Sequence, residues 1–296
     1  MLQPDFKEFS RLAGESTLVP VVKSVSADLL TPVSAFLAIA HRESHAFLLE
    51  SVERGEQIGR YTFLGTAPYM RVRSRHGKVE IERGRKTPTS RAKNPREMGH
   101  PHPHDAGENV FQVLKRLLRE HRPAIMPGLP PFTAGAVGYF AYDVVRHLEK
   151  IGDHAKDDLS LPDAELMFFD RLLAFDHLRH QIHIIATADV SREKPQRAYA
   201  RALRDIAALE RKLASGLSPA LWRKSGKAKL GKLKVHAATK REAYMRDVER
   251  CKEYIAAGDI FQVVLSQRLD FVPEIAPFDL YRALRQVNPS PYLYFL

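Results

Sequence analysis

Cysteine is all but missing. Cys251 stands alone among 296 residues, so no disulfide can form within the chain, and its stability has to come from burial. Long apolar runs are missing too. No stretch reaches the roughly 18 uninterrupted apolar residues of a membrane helix, and the first dozen positions hold Asp5, Lys7, Glu8 and Arg11 where a signal peptide would have its apolar centre. A cytoplasmic protein with no membrane partner is the expectation. Acidic residues are in short supply, with 35 Asp and Glu against 46 Lys and Arg and a formal net charge of +11. The excess gathers between Arg71 and Arg96 and between Arg223 and Arg241, without the interleaved aromatics of a nucleic-acid surface. These segments read as solvated basic loops, and no nucleic-acid partner is expected. A positive field of this kind also steers small dianions. Metal signals are thin. His100, His102 and His104 alternate in a proline-rich segment but lack a fourth ligand and zinc-site spacing, so an exposed loop is expected there. The small residues Ala134, Gly135, Ala136 and Gly138 have no lysine after them, which excludes a phosphate-binding loop.

Hydrophobic residues make up 44% of the chain, and its length suggests two lobes. Thr239 and Glu242 have capping-box spacing. Tyr244, Val248, Cys251 and Ile255 then draw one apolar stripe along a helix of about five turns, with Cys251 read as packing. Gly258 ends that helix in the left-handed conformation. From Asp259 the sequence turns β-branched and aromatic and predicts a strand. Phe261, Val263 and Leu265 lie on one face; Ile260, Gln262, Val264, Ser266 and Arg268 lie on the other. A strand apolar on both faces is buried on both, so its amide, hydroxyl and guanidinium need partners. Two readings stay open. Either the three polar groups face a cavity, or Ser266 and Arg268 lie at a wet strand end while Gln262 bonds a neighbouring backbone.

Earlier in the chain, residues 18–39 read as a strand followed by a helix capped by Thr31 and begun by Pro32. Phe47 to Leu49 and Tyr61 to Leu64 predict paired strands around a turn at Arg54-Gly55-Glu56. Glu50, Ser51 and Arg60 fall at one end of that hairpin. They form either a surface ion pair or a grip on an amino-acid ligand, with a hydroxyl for its carboxylate and a carboxylate for its ammonium. Tyr69 to Glu82 predicts a hairpin turning at His76-Gly77 with an exposed basic face. A proline-rich polar loop follows from Lys86 to Glu108, then an amphipathic helix from Val110 to Glu120. The small residues after Phe132 permit close backbone approach. Glu165 to Ala174 and Gln181 to Thr187 form another hairpin, and Asp189 to Leu213 a charged helix. The basic, glycine-bearing stretch Ser215 to Ala238 reads as a linker pinned by Trp222. It divides the chain into a lobe over 1–188, a helix and linker over 189–238, and a second lobe from 239 to 296. Pro277 starts a short helix. Pro289 and Pro291 bar another, leaving Tyr292 to Leu296 as an apolar strand without its continuation.

The order GDIFQVVLSQR resembles the signature of the chorismate-binding enzymes, closely that of anthranilate synthase large subunits. LLES with GRYTFLG, VGYFAYD and NPSPYLYFL resemble the same family, in the family's order. The resemblance implies an α+β, β-sandwich-like fold with antiparallel sheets flanked by helices, here stopping before the carboxyl-terminal part of the catalytic domain. For a whole subunit it implies addition of ammonia to C2 of chorismate, loss of the C4 hydroxyl, and elimination of pyruvate to give anthranilate. Ammonia would come from glutamine through an amidotransferase partner subunit. Mg²⁺ is implied as cofactor, with its ligands after Leu296 and none in this chain, which is expected to be inactive alone. Gln262 falls where water-adding relatives carry a lysine base. An amide cannot serve as that base, which favours ammonia as the nucleophile. The resemblance makes Ser266 and Arg268 part of the substrate wall and Glu50, Ser51, Arg60, Asn288, Pro291 and Tyr292 the binding site of the feedback inhibitor tryptophan. Tyr139, Asp143 and Arg146 would be framework. Aminodeoxychorismate synthase component I is the alternative within the family. A non-catalytic tryptophan-binding module and a basic RNA-binding protein are alternatives outside it.

Overall fold

Alternating apolar positions along β-type segments give two large antiparallel sheets among the described residues. The structure, a computed structural model, describes residues 1–40, 43–51, 59–84, 107–152, 156–215 and 233–296. Residues 1–221 together with 289–296 form one compact unit, and 222–288 form another.

In the first unit the larger sheet has seven strands. It contains β1 (Leu2–Gln3), β2 (Leu18–Ser26), β3 (Ala46–Ser51), β4 (Tyr61–Thr66), β9 (Arg171–Asp176), β10 (Gln181–Asp189) and β13 (Tyr292–Phe295), in the order β1-β2-β10-β9-β4-β3-β13. The smaller sheet runs β6 (Lys78–Arg83), β5 (Met70–Arg75), β8 (Ala164–Phe169), β7 (Gly135–Phe140). Glu165 to Ala174, predicted as one strand, divides at Asp170 into β8 and β9, which belong to different sheets. The predicted hairpin with Gln181 to Thr187 is formed by β9 and β10 alone. The β5–β6 hairpin turns at His76 and Gly77, both with positive φ (47° and 73°), as a tight two-residue connection requires. Its exposed face is less basic than predicted, because Arg71 pairs with Glu82 and Arg73 with Glu165.

The two sheets meet through Val22, Phe47, Leu172, Ala174 and Ile185 from one side and Val137, Met167 and Phe169 from the other. Close approach demands glycine at Gly138. A Cβ there would lie 1.9 Å from the Glu165 carbonyl oxygen, so the small-residue run serves packing. On the outer face of the seven-stranded sheet lie α1 (Phe6–Glu15), α2 (Pro32–Ala40) and α4 (Pro195–Ser215). The first helix of this group is capped by Asp5 and the second by Thr31, whose Oγ1 accepts the Ser34 N–H at 3.1 Å. Helix α3 (Val110–Arg119), with a capping box from Asn109 and Gln112, covers the smaller sheet through Val110, Val113, Leu114 and Leu117. A 3₁₀ helix, Tyr142–His147, follows β7. There Arg146 bonds Asp143 at 2.9 Å and the Gly152 carbonyl at 2.9 Å, and the Tyr139 hydroxyl bonds the Pro162 carbonyl. These contacts match the framework expectation.

The second unit holds α5 (Arg241–Ala257), α6 (Pro277–Val287) and a short ladder between β11 (His236–Ala237) and β12 (Leu269–Asp270). Gly258 ends α5 at φ 83°, as predicted. The cap is another matter: Lys240 occupies the N-cap position and no side chain bonds there, so Thr239 and Glu242 form no capping box. The predicted strand over 260–268 is also absent, with ladder pairing only at Leu269 and Asp270. Strand geometry needs a partner for every second N–H and C=O, and no described strand pairs with residues 260–268. Tyr281 is the one buried hydrophobic side chain among the described residues of this unit. The turn predicted at Arg54-Gly55-Glu56, the three alternating histidines and Trp222 lie outside the described residues.

Candidate functional site at the edge of the large sheet

The last strand of the chain lies on the first motif. β13 pairs antiparallel with β3, setting Tyr292 opposite Ser51, Leu293 opposite Glu50 and Tyr294 opposite Leu49. Directly opposed residues share a face. Ser51, Tyr292 and Tyr294 therefore lie on the side of the sheet that carries Leu49 and, on the neighbouring strand, Phe63. Tyr292 and Tyr294 remain 65% and 68% exposed, while the Ser51 hydroxyl is buried without a hydrogen-bond partner among the described residues. An open aromatic shelf with an unsatisfied hydroxyl at its base suits an aromatic ligand that also carries a hydrogen-bonding group. Pro291 enters this strand directly.

Glu50 is buried at 7% exposure, but on the other face. Successive strand residues point to opposite sides, so the Glu50 and Ser51 side chains cannot close on one ligand from the same side. A ligand held by both would have to reach them from the two sides of the sheet. Arg60 has a carboxylate partner of its own. Its guanidinium holds the fully buried Asp176 carboxylate at 2.7 Å and lies 4.8 Å from the Tyr61 ring centre. β4 pairs with β9 so that Tyr61 faces Asp176, which makes Arg60 the neighbour of a β9 residue across that ladder. Asp176 also accepts the backbone N–H groups of Leu178 and Arg179, each at 3.1 Å. Burial alone would raise its pKa, yet the Arg60 guanidinium and these two N–H groups outweigh burial and hold the carboxyl below its ordinary range. Nearby, Thr62 Oγ1 and His177 Nε2 are 2.8 Å apart. Sequence reading missed Asp176, Thr62 and His177; nothing in the sequence marks them, since only sheet order brings them beside β4.

The residues predicted for the substrate wall lie in the second unit. Gln262, Ser266 and Arg268 are exposed, and Arg268 Nε bonds the Asp270 carboxylate at 3.1 Å. They line no dry cavity, so the buried polar strand face is not formed. Leu265 receives the Tyr244 hydroxyl on its carbonyl at 3.2 Å, which ties this segment to α5. Asn288 caps α6, its N–H bonding the Leu284 carbonyl at 2.9 Å. Among the described residues no group of three or more His, Cys, Asp or Glu could hold a metal ion, and no helix is long and apolar enough to cross a membrane.

Two sheets packed face to face, with helices outside and two exposed tyrosines at one edge, define an α+β scaffold. The chain belongs to the chorismate-binding enzymes: the model of the family described as chorismate binding enzyme matches residues 45–296. It is 37% identical over 303 residues to anthranilate synthase component 1 of Acetivibrio thermocellus, covering 100% of this chain and 57% of that protein. With the Thermus thermophilus protein of the same name it shares 38% identity over 277 residues, covering 94% and 53%. The crystal structure of anthranilate synthase component I from Streptococcus pneumoniae is similar in fold, with a TM-score of 0.56 at 23% identity, over 90% of this chain and 53% of that one. The chain spans about half the length of the curated relatives it matches.

Proposed function

We propose that this chain is the amino-terminal portion of an anthranilate synthase large subunit, carrying its tryptophan-responsive site and one wall of its chorismate site. The observation that carries this reading is the pairing of β13 with β3. Two motifs far apart in sequence meet there, with Tyr292 opposite Ser51, whose buried hydroxyl has no partner among the described residues. Similarity to relatives named anthranilate synthase component 1, over essentially the whole chain, supports the same assignment.

In the whole subunit, chorismate would lose its C4 hydroxyl as ammonia bonds to C2, and elimination of pyruvate would leave the aromatic ring of anthranilate. Gln262 lies at the position that would separate ammonia from water as nucleophile, because a carboxamide has no basic lone pair with which to deprotonate water. Ser266 and Arg268 would hydrogen-bond and charge-pair the substrate. All three are exposed here. We assign their ordering to the half of the subunit that this chain does not span, where the strands paired with residues 260–268 would lie. The described residues supply no donor set for Mg²⁺, so none of this chain's residues is assigned a metal step. Ammonia would be delivered by a glutamine amidotransferase subunit, and the assembly would work in the cytoplasm.

On the regulatory side, the indole would lie on the shelf of Tyr292, Tyr294 and Phe63 while the Ser51 hydroxyl hydrogen-bonds the amino-acid end. Pro291 would shape the entry. Arg60 would act through Asp176, Glu50 would act from the opposite face, and Asn288 would fix the approach to β13. Tryptophan and chorismate would weaken each other's binding by the same factor. Calorimetry of the chain with L-tryptophan tests this. A micromolar dissociation constant that weakens about tenfold or more in Ser51→Ala is expected, on the basis that a lost hydrogen bond to a charged group is worth about 1.5–3 kcal/mol. A folded chain that binds no tryptophan contradicts the reading.

A further inference from the structure

The inner face of the seven-stranded sheet does not stay apolar to its end. Val22 faces Ile185 in the sandwich core, but the next two pairs on that face are Ser24 opposite His183 and Ser26 opposite Gln181. His183 is only 4% exposed, and its Nδ1 lies 2.8 Å from the Ser24 hydroxyl. Burial lowers its pKa, so this imidazole is a neutral hydrogen-bonding group rather than a cation. These residues floor a cleft of about 560 Å³ whose wall includes the β9–β10 turn. That turn is held from beneath, since the Asp176 carboxylate, itself clamped by Arg60, accepts the N–H groups of Leu178 and Arg179. Arg179 therefore projects from a fixed turn and lines the cleft. Its guanidinium has no ion pair or hydrogen bond among the described residues, and the one acid on the lining is Asp28.

A guanidinium without a carboxylate, above an amide and a hydroxyl–imidazole pair, is a donor-rich arrangement matched to an oxyanion. The volume is that of a small-molecule site. We propose that this cleft binds a small metabolite bearing a carboxylate or phosphate group, with the oxyanion on Arg179 and Gln181 and the rest of the molecule over the Ser24–His183 pair. None of Ser51, Pro291 or Tyr292 lines it, so this site stands apart from the tryptophan-responsive shelf.

Inorganic phosphate and, separately, succinate are titrated into the isotopically labelled chain while backbone amide shifts are followed. Saturable shifts confined to residues 24–26 and 177–183 are expected with at least one of the two anions, and the one that saturates at lower concentration identifies the headgroup. Arg179→Gln should raise the apparent dissociation constant about tenfold or more. Because Arg179 is exposed, that variant should keep the fold, and Gln181→Leu gives an independent loss at the same site. Shifts that do not saturate, that scatter over the basic segments, or that persist unchanged in both variants overturn the proposal.

Discussion

Ser51 carries the clearest residue-scale signature. Its hydroxyl is buried and has no hydrogen-bond partner among the described residues, so Ser51→Ala should leave thermal stability unchanged or slightly raised while tryptophan affinity falls; a stability loss comparable to the affinity loss would make the hydroxyl structural. Asp176 is the opposite case, because the Arg60 guanidinium and two backbone N–H groups converge on one buried carboxylate. Asp176→Ala should cost on the order of 3 kcal/mol in denaturant unfolding, since it leaves the Arg60 guanidinium half-buried and alone; a cost below about 1 kcal/mol would contradict the network. Gly138→Ala places a methyl against the Glu165 backbone, which cannot move without parting β7 from β8, and should cost about 3 kcal/mol or more. Retention of wild-type unfolding midpoints would contradict that packing. At this scale the sequence was legible where local chemistry decides. Thr31 and Pro32 start a helix, Gly258 ends one, and His76-Gly77 turns a hairpin because each satisfies its own backbone. The Arg60–Asp176 pair was not legible, because the carboxylate lies more than a hundred positions away, on a strand whose place in the sheet no local pattern reveals.

At the scale of elements, strand type was readable and strand pairing only partly so. Alternation identified β3, β4, β5, β6 and β10, yet the sheet assignment of β8 and β9 turns on the single break at Asp170. GDIFQVVLSQ has the composition of a strand and no partner here, and composition without a neighbour makes no ladder. The motifs LLES and NPSPYLYFL were each visible, and the resemblance joined them before any geometry did. The alternation rule itself, applied to Glu50 and Ser51, was enough to show that they face opposite ways. β13 is held by its ladder to β3 and by the Phe295 ring against Phe36 at 5.8 Å, so Phe295→Ala should speed amide exchange in β3 by about tenfold while leaving β2 protected. Equal protection before and after would mean that β13 contributes nothing to that edge. The pairing of β2 with β10 buries His183 and depresses its pKa below the ordinary 6.5. The unfolded chain then takes up a proton first, so stability is complete above about pH 6.5 and declines as the pH falls toward the depressed value. Melting at about pH 5 should come lower than at about pH 7.5, by less in His183→Gln, and a pH-independent difference between the two proteins would contradict the buried neutral ring.

Across the whole molecule, burial is uneven. The first unit contains nearly the entire core, whereas the second leaves Phe261 93% and Val264 83% exposed. Charge and composition set limits on class without identifying the family; the four motifs in their order did that, and the structure then joined the first motif to the last. The account depends most on that junction forming a ligand site. Mapping backbone amide shifts of the chain during an L-tryptophan titration tests it most directly. Saturable shifts centred on Leu49 to Ser51, Tyr61 to Phe63 and Tyr292 to Phe295 are predicted, whereas binding that moves other residues and leaves these three segments still would contradict it.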